Sequence, residues 1–265
     1  MVTLVRYGEI ATKSDYVRKQ MEGLLVRNIK DFLRREGISA KVRSLRGRII
    51  VSENVDLKRI FGVVSFSHAK EIPADIEVIK ETAYALYKGG KFRISAQRLN
   101  KAFPLTSQEI NRVVGEYIFN KGGKVDLKNF DQEIFIEIIN NKAYVFDSKM
   151  KGPGGLPLGA TGRMLAVINC EKDEYAALLM MKRGICIDYL GEAKIIHKWD
   201  YGCPSKKLEG SIDDHIDKYL GLIVGLEIKN QEELNKFKDL FAKYKKVYAP
   251  LFGYDVNEVK NLWKE

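Results

Sequence analysis

The sequence predicts an α+β front of two small domains, followed by an α/β back built on a parallel sheet. Three observations predict this fold class. The first 150 residues alternate short strands, amphipathic helices and hairpins. Residues 151–163 then contain five glycines and two prolines, a composition that interrupts regular structure. Beyond this loop a strand, a helix and a second strand follow in turn, which is the βαβ pattern of a parallel sheet.

The first 63 residues predict a β-α-β-β-α unit of the ferredoxin-like type. Ser14 or Asp15 is expected to cap a long helix whose apolar residues lie on one face, and Gly37 ends it. A tight turn is expected at Arg46-Gly47. The expected segments are a strand at 2–7, the long helix, strands at 41–45 and 48–52, and a short helix near 55–61.

Residues 64–153 predict a second α+β domain. Thr106 and Glu109 form a capping box, which opens a helix with Ile110, Val114 and Ile118 on its inner face. The other expected segments are a strand at 63–70, a helix at 74–88, a strand at 91–96, and a hairpin formed by 133–139 and 142–147.

Residues 154–265 predict the α/β back, because the apolar run at 164–168 resembles a buried parallel strand. The expected segments are strands at 164–168, 185–189 and 247–249, and helices at 174–183, 210–222, 230–243 and 255–264.

The net charge of +10 is unevenly distributed along the chain. Residues 1–65 carry 14 Lys and Arg against 7 Asp and Glu, and residues 66–153 carry 14 against 11. Residues 154–265 carry 17 of each. A basic front joined to a neutral back favours a polyanion, and nucleic acid above all, as the ligand of the front.

A basic segment with one aromatic residue is the first candidate for RNA contact. Cations beside an aromatic ring suit a phosphate backbone with an unstacked base. The alternative is a solvated strand edge whose lysines prevent aggregation. The candidate residues are Lys91, Arg93, Arg98, Lys101 and Phe103.

Arg43, Arg46 and Arg48 form a second basic cluster around the first hairpin. We expect RNA contact there from Arg46 and Arg48, with a solvated surface as an equal alternative.

The three cysteines and three histidines do not predict a metal site or a disulfide framework, because their spacing is irregular. We expect Cys186 in the core and Cys203 in a loop that could be exposed. Cys170 lies next to acidic residues, so we expect it to be no more reactive than a free thiol. The sequence shows neither a secretory signal nor an apolar membrane span, and a cytoplasmic protein is expected.

Three stretches of the sequence resemble the tRNA 4-thiouridine synthetase family, whose members share a sulfur-transfer chemistry linked to thiamine biosynthesis. They are residues 6–13 (RYGEIATK), 92–111 (FRISAQRLNKAFPLTSQEIN) and 154–163 (GGLPLGATGR). The resemblance implies a ferredoxin-like domain over 1–63, a THUMP domain over 64–153, and a PP-loop ATP pyrophosphatase domain over 154–265. It also implies tRNA as the ligand, held near its acceptor end by the first two domains.

The ATP loop of this family, Ser-Gly-Gly-x-Asp-Ser, is replaced here by residues 168–173, INCEKD. Glu171, Asp173 and Glu174 gather at the start of the next helix, where carboxylates satisfy free N–H groups and complement the helix dipole. They hold the position that a phosphate would need. Val167 and Ile168 remain as a remnant of a nucleotide site.

These observations support one leading hypothesis and two rivals. The leading hypothesis is a tRNA-binding relative that does not adenylate, needs no cofactor, and forms a homodimer or docks a catalytic partner protein. The first rival is an active enzyme that uses ATP and magnesium, with sulfur transfer through Cys170 or Cys203. The second rival is a partner-binding scaffold without RNA.

Overall fold

Two β-sheets organise the chain in the computed structural model, which describes residues 1–45, 47–244 and 246–263. The contacts within the chain divide it into two units. The first unit comprises Met1–Tyr7, Ser39–Lys58 and Val64–Lys151. The second unit comprises Gly8–Ile38, Arg59–Val63 and Gly152–Glu265.

The helices and strands follow the predicted order through most of the chain. The strands are β1 Val2–Arg6, β2 Val42–Leu45, β3 Arg48–Val51, β4 Ser65–Pro73, β5 Lys91–Arg98, β6 Lys124–Val125, β7 Gln132–Ile139, β8 Lys142–Phe146, β9 Met150–Lys151, β10 Arg163–Ile168, β11 Cys186–Gly191, β12 Lys207–Leu208, β13 Leu222–Ile223 and β14 Val247–Tyr248. The helices are α1 Asp15–Arg35, α2 Ile76–Leu86, α3 Ser107–Asn120, α4 Glu171–Lys182, α5 Gln231–Tyr244 and α6 Val256–Asn261.

The sheet of the first unit has the order β2-β3-β1-β4-β8-β7-β5-β6, with β9 beside β4. Helices α2 and α3 cover one face of strands β5, β7 and β8. Alternate residues of each strand point towards that face. Ile134, Ile136 and Ile138 of β7 face these helices, with Ile110 of α3 in the same core. The predicted capping box at Thr106 is present and opens α3.

The other face of this sheet is concave. The Nε atom of Arg48 on β3 lies 2.7 Å from Oε2 of Glu137 on β7, although β1, β4 and β8 lie between the two strands. The strands must curl for these side chains to meet. Leu4, Ile50 and Tyr144 are fully buried in the apolar part of this face.

The sheet of the second unit is parallel, in the order β12-β11-β10-β13-β14. The predicted βαβ pattern is therefore confirmed for β10, α4 and β11. The predicted long helix α1 also belongs to this unit. Its Phe32 ring lies 5.2 Å from the ring of Tyr201, and its Asn28 donates a hydrogen bond to the carbonyl of Leu158 at 3.1 Å.

Two predicted helices are absent from the described residues, and one begins early. Residues 55–61 form a loop with short turns, in which the Asp56 carboxylate accepts the backbone N–H of Lys58 at 2.9 Å. Residues 210–222 contain a single 3-10 turn at Ile216–Lys218, because the chain then joins the sheet as β13. Helix α4 begins at Glu171 rather than near residue 174. The expected domain boundaries after residues 63 and 153 stay predictions.

Candidate RNA interface and the loop before helix α4

The basic segment on β5 lies in the first unit, where its first two cations are paired but partly exposed. The Lys91 ammonium lies 3.2 Å from the Asp126 carboxylate. Arg93 lies 2.8 Å from Glu133, its neighbour in the parallel register with β7. The guanidinium of Arg93 also lies 4.1 Å above the ring of Phe130. A stacked arginine beside a half-buried ring can contact both a phosphate and a base.

Phe103 is a correction to the sequence prediction. Its side chain is 9% exposed and packs in the core beside α2 and α3, so it cannot serve as a surface for base stacking. Arg98 turns inward to donate a hydrogen bond to the Phe103 carbonyl at 2.9 Å. Lys101 is exposed. The ring that accompanies the basic segment is Phe130, which the sequence analysis missed because it lies 27 residues beyond Phe103 and meets Arg93 only in the folded chain.

The arginines at the first hairpin also make more contacts within the protein than the sequence analysis expected. Arg48 is largely buried, with Nε on Glu137 at 2.7 Å and Nη1 donating to the Gly47 carbonyl at 2.7 Å. Arg43 is half-exposed and pairs with Glu71 at 2.6 Å. Arg46 lies outside the described residues.

Glu137 is the acidic centre of a buried ion group that the sequence analysis did not predict. Its two oxygens bind Arg6 and Arg48, each at 2.7 Å, and the residue is 3% exposed. Arg6 also donates to the hydroxyl of Ser67 at 3.0 Å. Burial lowers the pKa of the Arg6 guanidinium, although Glu137 acts in the opposite direction. The sequence signal that could have predicted this ion group is Glu137 itself, the single acid that interrupts the apolar run of β7.

In the second unit, the loop before α4 is closed by the carboxylate of Asp173. Its Oδ2 atom accepts the backbone N–H groups of Asn169 at 2.8 Å and Cys170 at 3.1 Å. Asp173 is 9% exposed. A Cβ at Gly225 would lie 2.0 Å from its Oδ1 atom, so only glycine allows this close approach. The N–H groups that could bind a phosphate here already bind a carboxylate.

The other two acids near α4 have different roles from the predicted one. Glu174 is buried and accepts the backbone N–H groups of residues 194, 195 and 196 at 2.9, 2.5 and 3.0 Å. It therefore holds the next loop rather than the start of its own helix. Glu171 is exposed, and the hydrogen bond from Tyr175 and then the ammonium of Lys260 lower the pKa of its carboxyl.

A cavity of about 400 Å³ lies beside this loop, at the carboxyl end of β10. Val167, Asp173 and Gly225 line it, together with Lys236 from α5. The two residues predicted as a remnant of a nucleotide site therefore lie in different surroundings. Val167 faces the cavity, whereas Ile168 is 1% exposed and belongs to the core.

The cysteines correct a further expectation. Cys186 and Cys203 form a disulfide across 17 residues and are both buried. Cys203 is therefore neither exposed nor a free thiol. Cys170 is free and exposed, with its sulfur 3.4 Å from Oδ2 of Asp173. Among the residues that the structure describes, no group of His, Cys, Asp and Glu could hold a metal ion, and no helix is long and apolar enough to cross a membrane.

Two family models match the front of the chain. The model described as the ThiI ferredoxin-like domain matches residues 2–67. The model described as the THUMP domain matches residues 73–146. Both predicted front domains are thereby confirmed.

Two curated relatives are described as "Probable tRNA sulfurtransferase". The chain is 38% identical over 262 residues to the protein of Thermococcus kodakarensis, covering 90% of this chain and 67% of that protein. It is 40% identical over 204 residues to the protein of Methanocaldococcus jannaschii, covering 69% and 54%. The chain thus spans between half and two thirds of the length of these relatives.

Two solved structures resemble the whole chain. PH1313 from Pyrococcus horikoshii Ot3 is 36% identical with a TM-score of 0.84, covering 98% of this chain and 97% of that chain. A 4-thiouridine synthetase, solved in complex with RNA and bound ATP, is 21% identical with a TM-score of 0.74, covering 98% and 84%. The latter shows the same fold for the α/β back. Taken with the two domain matches, these similarities show that the chain belongs to the tRNA sulfurtransferase family, also called the 4-thiouridine synthetase family.

Proposed function

We propose that this protein binds tRNA near its acceptor end through its ferredoxin-like and THUMP domains and does not adenylate it. The RNA half of the proposal is supported by the THUMP domain, by the related synthetase solved with RNA, and by the basic front of the sequence. On the surface, Arg93 over Phe130 and the exposed Lys101 offer phosphate and base contacts.

The observation that carries the second half is the position of Asp173. A nucleotide loop presents backbone N–H groups to a phosphate. Here Asp173 accepts the N–H groups of Asn169 and Cys170, and its negative charge opposes a triphosphate. The residues of this loop therefore do not fit ATP.

Two alternatives are less well supported. An ATP-dependent sulfurtransferase would need a free phosphate loop, and Cys203 is already bonded to Cys186. A scaffold without an RNA role leaves the THUMP domain and the basic front unexplained.

Within the proposed function, the protein acts in tRNA thio-modification or derives from it, works in the cytoplasm, and forms a homodimer or docks a catalytic partner.

Calorimetry with the full chain tests both halves of the proposal. Injection of unmodified tRNA should give heat at low salt, and Mg-ATP at sub-millimolar concentration should give none. A micromolar Mg-ATP signal, or AMP production in the presence of tRNA, would show that the loop binds nucleotide despite Asp173.

A further inference from the structure

Two stacked aromatic rings on the concave face of the first unit each lie against a cationic side chain. Phe135 of β7 and Phe146 of β8 are partners in the sheet register, and their ring centroids lie 5.2 Å apart at 14°. The guanidinium of Arg6 lies 4.8 Å from the Phe146 centroid. The ammonium of Lys149 lies 3.9 Å from the Phe135 centroid. Each ring therefore attracts one positive charge, and the charge of Arg6 is felt at the Lys149 ammonium.

The charge of this group is not balanced. Arg6, Arg48 and Lys149 contribute +3 and Glu137 contributes −1, which leaves +2. Both Glu137 oxygens are taken by the arginines, and the nearby Glu133 is bonded to Arg93 and Ser95. In the described part of the chain, Lys149 makes no ion pair. The partial desolvation of Lys149 against the Phe135 ring, and then the charge of Arg6, lower the pKa of its ammonium.

An unpaired donor on Arg6 is a second, independent observation that points to an anionic ligand. The Nη2 atom of Arg6 is shielded from solvent and has no hydrogen-bond partner in the structure. A buried donor on a charged group is costly to leave unpaired. An oxyanion that reached this position would accept a hydrogen bond from Nη2 and offset the excess positive charge.

We propose that Lys149 and Arg6 form a binding site for one backbone phosphate of RNA. The inference rests on the proposed function and extends it, because it places a phosphate on the concave face next to the Arg93–Glu133 pair. Lys149 is exposed and makes the first contact. Arg6, fixed by Glu137 and Ser67, supplies the second donor once the phosphate displaces the atoms that cover Nη2. The flanking rings exclude water, which strengthens charge-assisted hydrogen bonds.

The test compares Lys149→Gln with Lys121→Gln in the full chain. Lys121 is a matched control, because its ammonium also lies over two rings, Tyr84 at 4.6 Å and Tyr117 at 4.5 Å, on the helix-covered face. The measurement is the dissociation constant for unmodified tRNA at several salt concentrations. Loss of one phosphate contact should weaken binding about 5- to 10-fold at ~0.1 M salt and reduce the salt slope by about 1. Lys149→Arg should retain most of the affinity, and Lys121→Gln should match the wild type.

The outcomes separate the two proposals. If the wild type binds tRNA but Lys149→Gln behaves like Lys121→Gln, the phosphate site is overturned and the proposed function stands. If the wild type binds no tRNA even at low salt, both fail. Titration with inorganic phosphate identifies the source of the anion. Binding of free phosphate that depends on Lys149, with tRNA affinity unchanged in Lys149→Gln, would overturn the assignment to RNA.

Discussion

At the scale of single residues, two buried carboxylates organise the two candidate sites. Asp173 closes the loop before α4 by accepting two backbone N–H groups. Glu137 binds two arginines on the concave face of the first unit. Each takes a place where a ligand anion could otherwise bind, but only the group around Glu137 retains excess positive charge. This difference is why we assign a phosphate to the first unit and none to the loop.

Asp173→Ala should destabilise the protein, because the substitution leaves two N–H groups without their acceptor. We expect the free energy of unfolding to fall by about 1–2 kcal/mol, as for a lost helix cap. The measurement is urea denaturation of the full chain. Glu171→Ala is the control, since it removes the same charge from the first turn of α4 but no bond to the backbone, and should lower the stability clearly less than Asp173→Ala does. Equal losses in the two variants would contradict the capping role of Asp173.

Glu137→Gln should be more damaging, because it leaves two largely buried arginines without a counter-charge. Breaking a buried ion group costs about 3–5 kcal/mol. Glu133→Gln, on the same strand and face, should cost about 1 kcal/mol, since its partner Arg93 is about one third exposed. Urea denaturation of both variants measures the difference. A Glu137→Gln protein as stable as Glu133→Gln would show that the arginines do not depend on Glu137.

At the scale of elements, helix α1 is held by charged contacts at its C-terminal end. Arg35 lies 2.6 Å from the buried carboxylate of Asp200. Asp31 accepts the backbone N–H of Gly202 at 2.8 Å and lies 2.9 Å from Arg35. Gly202 has φ of +81°, and a Cβ there would lie 1.9 Å from Oδ1 of Asn28, so this loop meets α1 only with glycine at that position.

Asp31→Asn should reveal a pH-dependent contribution to stability. Burial acts to raise the pKa of Asp31, but the Gly202 N–H and the two arginines outweigh it and hold the pKa below its usual value of 3.8. A carboxyl with a lowered folded-state pKa stabilises the fold above the unfolded pKa and loses that effect as pH falls through the folded value. We therefore expect Asp31→Asn to cost about 1 kcal/mol at neutral pH and progressively less below pH ~4.

Urea denaturation at neutral pH and at pH ~3 measures this contribution. Asp15→Asn, at the exposed start of the same helix, is the control and should change little at either pH. A cost of Asp31→Asn that stayed constant across this range would contradict the assignment.

Sequence patterns predicted the elements well where the contacts are local. The capping box at Thr106, the helical face of α1 and the hairpin of 133–139 and 142–147 depend on residues close in sequence, and the structure confirms them. Residues 210–222 were predicted wrongly, because the partners of β13 are distant strands. The burial of Phe103 and the Cys186–Cys203 bond likewise depend on distant packing that spacing alone does not show.

At the scale of the whole molecule, the distribution of charge along the sequence fits RNA binding by the basic front and a different role for the neutral back. The excess of basic residues lies entirely before residue 154. The structure explains why the individual cations could not be ranked from sequence. Arg48 and Arg98 are committed to internal partners, whereas Lys149, which the sequence analysis did not select, is exposed and unbalanced by an acid.

The affinity of the full chain for unmodified tRNA as a function of salt tests the central claim most directly. The full chain is required because α1 and residues 59–63 pack with residues 152–265. If four to six phosphates are neutralised, the logarithm of the association constant should fall against the logarithm of salt concentration with a slope of about −3 to −5. A salt-independent affinity, or no binding at low salt, would contradict the account.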